Sequence, residues 1–528
     1  MPSIFETDAA LDKLASTAIE RTKALMKESD KLRDRREKAN RKRVARLFKD
    51  PKAIEATITL TDEVMRISSV KSSSRIFRRA AKKASIIGFG PLNGIGLHAI
   101  GVLSHVLPAP VVGAVHQRVR ALSKDLILAS ETEKLSKHLG KRTAKGISLN
   151  INVLGEAVLG DHEAELRFQS ILEMMRRPEV NYISVKLSSI VAQLIIIDID
   201  GSIDRVSEKM RILYREAQQH GVFVNLDMEE YRDLPMTVAA FMRVLDEAEF
   251  ESMKAGIVLQ AYLPESHLFF GKLVEWSKAR YARCGGSIKV RLVKGANLAM
   301  ERAEAELHGW SAAPYRSKSD VDASYVRLVD AALRPEHSKA VRIGIASHNL
   351  FHMTWALEVA KSRGVSDQID IEMLEGMANA EALAVTRAGQ PVLLYAPVTR
   401  KDDFAAAVAY LVRRLDENTS DENYLKAAFE ISKNPAKFKE QEERFVKSIA
   451  ERHTITTESL RHVDHALITG HIFENERNAD PTDPDFINAV SKAMKKVRAI
   501  KDQEIPLVIN GKEVFTCLLY TSPSPRDS

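Results

Sequence analysis

In the stretch from Tyr410 to Asn418, YLVRRLDEN, two arginines stand side by side on an otherwise apolar helical pattern. Helix neighbours point about 100° apart, so an isolated pair usually means one exposed residue beside one at the edge of the apolar face. The alternative is that Arg413 and Arg414 turn toward one ligand, since two guanidinium forks hold a carboxylate or phosphate well. Other polar residues sit just after short apolar runs: Lys186, Asp227, Gln260, Arg291 with Lys294, His348 with Asn349, Glu375 and Tyr395. With the arginine pair included, cations outnumber carboxylates in this set, which suits a small anionic substrate or an anionic cofactor. Metal ligation fits poorly, because His348 lacks a second histidine or a carboxylate motif at ligand spacing. A lone histidine after a strand reads as a hydrogen-bonding residue. No nucleophile elbow or Ser/Cys–His pairing stands out.

These residues need a scaffold that brings them together. β-rich runs occur at 147–155 (ISLNINVLG), 182–188 (YISVKLS), 222–229 (VFVNLDME), 256–262 (GIVLQAY), 288–295 (IKVRLVKG), 341–349 (VRIGIASHN), 369–376 (IDIEMLEG) and 391–397 (PVLLYAP). Helical patterns such as HEAELRFQSILEMMRR, IDRVSEKMRILYREAQQH and HLFFGKLVEWSKARYARCGG lie between them. Near-continuous apolar strands alternating with helices predict a parallel sheet buried on both faces, and eight such units close most economically as a (βα)8 barrel. Active sites of such barrels lie at the C-terminal ends of the strands, where the polar residues above fall. The expected fold class is α/β: a TIM-type barrel preceded by an all-helical N-terminal region.

Composition is consistent with that frame. A chain of 528 residues can bury a large core and build two or three units. Two cysteines, Cys284 and Cys517, cannot form a disulfide framework, so a reducing, cytoplasmic setting is expected. The opening MPSIFETDAALDK lacks a secretory pattern. Much of the basic excess sits in KLRDRREKANRKRVARLF, which reads as a solvated helix face, with an anionic membrane surface as the competing use. The apolar segment Ser85 to Val115 fails as a membrane span because Pro91, Asn93, His98, His105 and Pro108 interrupt it. Buried helices with a Gly/Pro break are expected there. Gly88, Gly90 and Gly94 lack the acidic residue a dinucleotide loop needs.

Several tracts together resemble one family. RLVKGANLAMERAEAELHGW (291–310), SKSDVDASY (317–325), ASHN (346–349), LLYAPV (393–398) and YLVRRLDEN are similar to the proline dehydrogenase barrel of bifunctional proline utilisation A proteins, with YISVKLS and NLDMEE also in place. The resemblance implies a barrel that binds FAD noncovalently and oxidises L-proline to Δ1-pyrroline-5-carboxylate, with electrons passing to a membrane quinone. Matching positions assign Arg413, Arg414 and Lys186 to the proline carboxylate, and Asp227, Leu374, Tyr395 and Tyr410 to the pocket wall. Arg291, Lys186, Asp227 and Tyr395 are the implied catalytic set. For FAD the matching positions are Gln260, Arg291, Val293, Gly295, Ala296, Lys318, His348, Asn349 and Glu417. Peripheral membrane association and a homo-oligomeric full-length protein are compatible with the resemblance; no ribbon-helix-helix module opens the chain, which argues against DNA binding.

The chain departs from the family pattern at Asn297, Leu298 and Ala299, where an aromatic-rich tract is usual, and at Ser317, where a basic residue is expected. DQEIPLVINGKEVF resembles the opening of an aldehyde dehydrogenase domain, whose NAD-dependent activity would need a cofactor fold and a cysteine that this chain lacks. CLLYTSPSPRDS fits neither pattern. The expected division is therefore 1–145 helical, 146–470 barrel, 471–516 linker and domain opening, and 517–528 a non-native tail. Two other readings stay open at this point: a noncatalytic anion- or nucleic-acid-binding barrel, and another flavin barrel of the methylenetetrahydrofolate reductase type.

Overall fold

Runs such as AGIVLQ and VLLYAPVT bury every residue, which a parallel strand covered on both faces requires. The computed structural model describes residues 7–47, 49–84, 86–155, 158, 160–400, 404, 407, 408, 410–412, 423–461, 478–500 and 505–515. Eight parallel strands close a barrel: β2 (Ile147–Val153), β3 (Tyr182–Lys186), β4 (Phe223–Asp227), β5 (Ala255–Gln260), β6 (Ile288–Val293), β7 (Val341–Ala346), β8 (Ile369–Leu374) and β9 (Val392–Thr399). All eight coincide with the runs read from the sequence. The sequence reading missed β1 (Leu128–Ala129), two residues that pair with the end of β9.

Closure is made by β9, which pairs with β8 through Leu374↔Tyr395 and with β2 from Ile147↔Val392 to Val153↔Val398. The expected connecting helices are present at Asp161–Met175, Ile199–His220 and Glu265–Cys284. Because side chains alternate along a strand, Lys289, Arg291 and Val293 of β6 share a face, as do Asp370, Glu372 and Leu374 of β8. Those faces meet inside the barrel, where Lys289 Nζ lies 2.7 Å from Glu372 and 3.0 Å from Asp370. Gly344 on β7 makes the room, since a Cβ there would stand 2.2 Å from a Glu372 carboxylate oxygen.

The chain divides into two compact units, Met1–Asp464 and His465–Ser528. In the first, helix Leu14–Leu32 packs on helices Leu350–Ser362 and Asn379–Arg387. Thr22 Oγ1 bonds to Thr354 Oγ1 at 2.8 Å inside that contact, and Arg21 pairs with Glu358 at 2.7 Å. The basic run continues as helix Arg35–Leu47, largely solvated as expected, but two of its charges are structural. Arg33 is buried against Glu381, and Arg41 also pairs with Glu381 at 3.3 Å. The second unit contains helix Pro484–Ala499 and an antiparallel hairpin, Leu507–Ile509 with Lys512–Val514, turned by Asn510 and Gly511 at positive φ.

One expectation is corrected. The apolar segment around residues 85–115 forms helices Pro91–Leu103 and Pro108–Ser123, but much of it is not buried. Ile95, Val102 and Val106 face solvent because no described element packs on that side. Apolar composition indicated that the segment avoids water without indicating what it meets. No helix among the described residues is long and apolar enough to cross a membrane.

Candidate active site

A cavity of about 320 Å³ opens at the C-terminal ends of the barrel strands. The thirteen described residues that the family resemblance assigns to catalysis, substrate or cofactor all line it: Lys186, Asp227, Gln260, Arg291, Val293, Gly295, Ala296, Lys318, His348, Asn349, Leu374, Tyr395 and Tyr410. Arg413, Arg414 and Glu417 lie outside the described residues. Strand register explains the convergence: Lys186↔Asp227, Gln260↔Val293 and Leu374↔Tyr395 are side-by-side strand ends.

Asp227 is the hub. One carboxylate oxygen accepts from Ser184 Oγ at 3.0 Å, Asn225 Nδ2 at 3.1 Å and Arg291 Nη1 at 3.3 Å. The other accepts from the Tyr395 hydroxyl at 2.7 Å. The Arg291 guanidinium lies 4.6 Å from the centre of the Tyr395 ring and pairs with Glu372 at 2.9 Å. Burial and the Asp227 carboxylate hold the Tyr395 phenol well above its ordinary value, so it stays a neutral donor. Burial alone would lower Arg291, but Glu372 and Asp227 more than offset it and raise the guanidinium above its usual value.

A second cluster also lines the cavity. Asp322 accepts from Lys294 and Lys318 at 2.6 Å each, at the start of helix Lys318–Ala332. Burial would raise the Asp322 carboxyl, yet the two ammonium groups hold it below the usual carboxylate range. Burial lowers Lys294, and Lys318 adds to that against the pull of Asp322. Ser317 caps this helix by accepting from Asp320 N at 3.1 Å, which accounts for a hydroxyl where a cation was expected.

Other predicted residues have a framework role as well. Asn349 caps helix Leu350–Ser362 by accepting from Phe351 N at 3.0 Å. His348 Nε2 accepts from Leu374 N at 3.1 Å, the hydrogen-bonding role expected of it. Gly295 sits at φ 120 with a Cβ position only 2.4 Å from the Tyr262 ring, so no side chain fits there. Asn297 donates to the Glu229 carbonyl at 2.9 Å, and Gln260 Nε2 donates to the same carbonyl at 3.2 Å. The Asn297 amide therefore braces the loop after β4.

Two sequence expectations change. Glu375 does not face the mouth; it is buried against Arg142 and lies 3.3 Å from His138. Period-two alternation requires this, because Leu374 faces the cavity and its neighbour must face away. The expected cationic excess is narrower among the described lining residues, where Lys186, Arg291, Lys294, Lys318 and Arg444 stand against Asp227, Glu229, Asp322 and Glu372, with Arg413 and Arg414 outside the described residues. Lys186 pairs with Glu229 at 2.5 Å, Arg291 with Asp227 and Glu372, and Lys294 and Lys318 with Asp322. Glu229, Asp322 and Glu372 escaped the sequence reading. The i, i+2 carboxylates of NLDME and IDIEM and the i, i+4 spacing of Lys318 and Asp322 were their only signals.

The sequence pattern of the family described as proline dehydrogenase matches residues 135–427, more than half of the chain. Bifunctional protein PutA of Escherichia coli is 23% identical over 329 residues, covering 59% of this chain and 24% of that protein. Proline dehydrogenase 2 of Bacillus subtilis is 26% identical over 283 residues, covering 53% of this chain and 80% of that protein. The structure of proline utilization A from Corynebacterium freiburgense matches with a TM-score of 0.63 at 45% identity, covering 71% of this chain and 36% of that one. Proline utilization A from Bdellovibrio bacteriovorus, inactivated by N-propargylglycine, gives 0.74 at 24% identity over 96% of this chain and 50% of that one, a likeness of fold. The chain thus spans about a quarter of the length of the Escherichia coli relative. With the family pattern running through the barrel strands and the cavity they surround, the chain belongs to the proline dehydrogenase family.

Proposed function

We propose that the barrel is an FAD-dependent proline dehydrogenase that oxidises L-proline to Δ1-pyrroline-5-carboxylate and passes the electrons to a membrane quinone. The observation that carries the reading is the Asp227–Tyr395–Arg291–Glu372 cluster, four groups from four strands locked at one end of the cavity. Family membership and the resemblance at Arg413, Arg414 and Lys186 supply the substrate; the quinone and a peripheral membrane position come from the resemblance alone.

The donor set fits the cofactor. Lys318 at the N-terminus of its helix, with Lys294 on the same Asp322 partner, suits a pyrophosphate, and the side-chain-free approach at Gly295 suits a flat group lying close to backbone. Gln260, Arg291, Val293, Gly295, Ala296, Lys318, His348, Asn349 and Glu417 are the proposed holding residues. FAD, when bound, supplies the two-electron acceptor chemistry. The chain's own residues do the rest. Lys186, Arg413 and Arg414 take the substrate carboxylate, and Leu374, Tyr395 and Tyr410 wall the ring. Tyr395, held by Asp227 below and the Arg291 guanidinium across its face, offers a rigid surface. No residue is assigned as a dedicated base.

The remaining division is proposed on the same footing: 471–516 as a linker and the opening of an aldehyde dehydrogenase domain, with 517–528 non-native. The test is proline-dependent reduction of a soluble electron acceptor by the FAD-reconstituted protein. Arg413→Met and Arg414→Met are each expected to raise the proline KM by about tenfold or more while leaving bound FAD, as loss of a charged hydrogen bond requires. Loss of flavin with unchanged proline KM would assign the pair to the wrong ligand.

A further inference from the structure

The helical region carries a surface that the barrel chemistry does not use. From Val64 to Lys124 the chain holds ten Lys and Arg residues and no Asp or Glu. The whole chain is +7, so with these ten set aside the remainder is net −3. The run from Lys31 to Phe48 is itself net +7, so the chain's basic excess is shared between that run and this region. Two of the ten are paired, Arg66 with Asp62 at 3.1 Å and Lys83 with Glu55 at 2.9 Å. Among the described residues, Lys71, Arg75 and Lys82 have no carboxylate within ion-pair distance.

On helix Val70–Lys83, Lys71, Arg75, Arg78 and Lys82 are spaced i, i+4, i+7 and i+11, which is one face. That face borders the turn after helix Pro91–Leu103, because Ser74 Oγ and Arg78 Nη1 each donate to the Ser104 carbonyl at 3.1 Å. Along that helix and turn, eight residues between Ile95 and Leu107 are exposed, and seven of them are apolar; the exception is His105. Ile95, Val102 and Val106 are 58%, 72% and 78% exposed. A water-facing helix puts polar groups at such positions.

The two features together select the partner. A nucleic acid would use the cations and leave the apolar helix unexplained. A bilayer with anionic headgroups uses both: its negative surface potential attracts each basic side chain near it, and the apolar face enters the headgroup–acyl boundary. We propose that this face docks on an anionic lipid bilayer, with Ile95–Leu107 entering the boundary and the Lys71–Arg75–Arg78–Lys82 stripe on lipid phosphates. For its purpose the inference rests on the proposed quinone acceptor, which dissolves in that bilayer; the surface itself rests on charge and exposure.

The test is flotation of the 528-residue chain with vesicles of phosphatidylcholine alone or mixed with phosphatidylglycerol. Binding to the mixed vesicles only, weakening as salt rises, is expected. The double variant Val102→Asp with Val106→Asp, and separately Lys71→Glu with Arg75→Glu, should each cut binding by about tenfold or more, whereas Arg75→Lys should retain it. Circular dichroism and proline-dependent reduction of a soluble acceptor should stay as in the parent for all variants. Absence of vesicle binding, equal binding to both vesicle types, unchanged binding in both double variants, or salt-sensitive binding to duplex DNA in place of vesicles would each overturn the surface. A parent that binds vesicles but fails to oxidise proline would overturn the proposed function and leave the surface standing.

Discussion

The barrel mouth and the helical region both present basic side chains, but they dispose of the charge in opposite ways. At the mouth, Lys186, Arg291, Lys294 and Lys318 each meet a carboxylate held by a strand, a loop or the helix Lys318–Ala332. Between Val64 and Lys124 the chain has no carboxylate of its own, and of the ten basic residues Arg66 and Lys83 pair with carboxylates outside that stretch while Lys71, Arg75 and Lys82 have none within ion-pair distance among the described residues. Paired buried charges contribute position and little long-range field, because removing either partner leaves the other stranded. Unpaired surface charges contribute field and almost no position, since their side chains are solvated. The first arrangement suits recognition of one small molecule at fixed geometry, and the second suits an extended anionic surface.

The comparison breaks most visibly at Arg291. Arg291→Met leaves Glu372 and Asp227 without their shared partner, and a loss of about 3–5 kcal/mol in denaturant unfolding is expected, with proline turnover abolished. A variant as stable as the parent would mean that the interior pairs do not hold the mouth. Tyr395→Phe removes one hydrogen bond to a charged group and keeps the ring. Its expected effect is about 1.5–3 kcal/mol, read as a ten- to hundredfold fall in kcat/KM for proline with the fold intact.

The eight strands were legible in the sequence because both faces of each are covered, which makes them continuous apolar runs. The strand-end residues were legible because the end of such a run lies at the rim of the barrel, where a polar group with the inward register reaches the mouth. Glu372 was not legible, since a carboxylate within a strand can face the barrel interior or the outer helices, and only the register and the gap at Gly344 decide it. Glu375 was misplaced by one step of alternation. The segment near residues 85–115 was misread because hydrophobicity measures aversion to water and does not say whether protein or lipid replaces it.

Smaller effects sharpen the contrast. Burial pushes the Glu301 carboxyl from 4.5 up to about 7 despite its bond from Tyr231 N, with Glu304 and Glu230 adding. An acid whose folded value is raised binds its proton more tightly when folded, so its contribution to stability is lost as pH rises from 4.5 to about 7. Glu301→Gln should therefore gain stability over the parent by about 1–3 kcal/mol across that window and hold the gain above it. A difference that is flat with pH would contradict the burial argument. The smallest effect belongs to the helical surface: Val102→Asp should alter unfolding free energy by no more than about 0.5 kcal/mol, because the side chain is already in solvent. A loss of several kcal/mol would mean that the position is buried.

The most direct measurement is the visible spectrum of the FAD-reconstituted, desalted protein under anaerobic conditions, before and after addition of L-proline. The account predicts retained oxidised-flavin absorbance that bleaches on proline, with a proline-shaped carboxylate lacking the ring nitrogen blocking the bleaching. A protein that retains no flavin, or whose flavin is unchanged by proline, would contradict it.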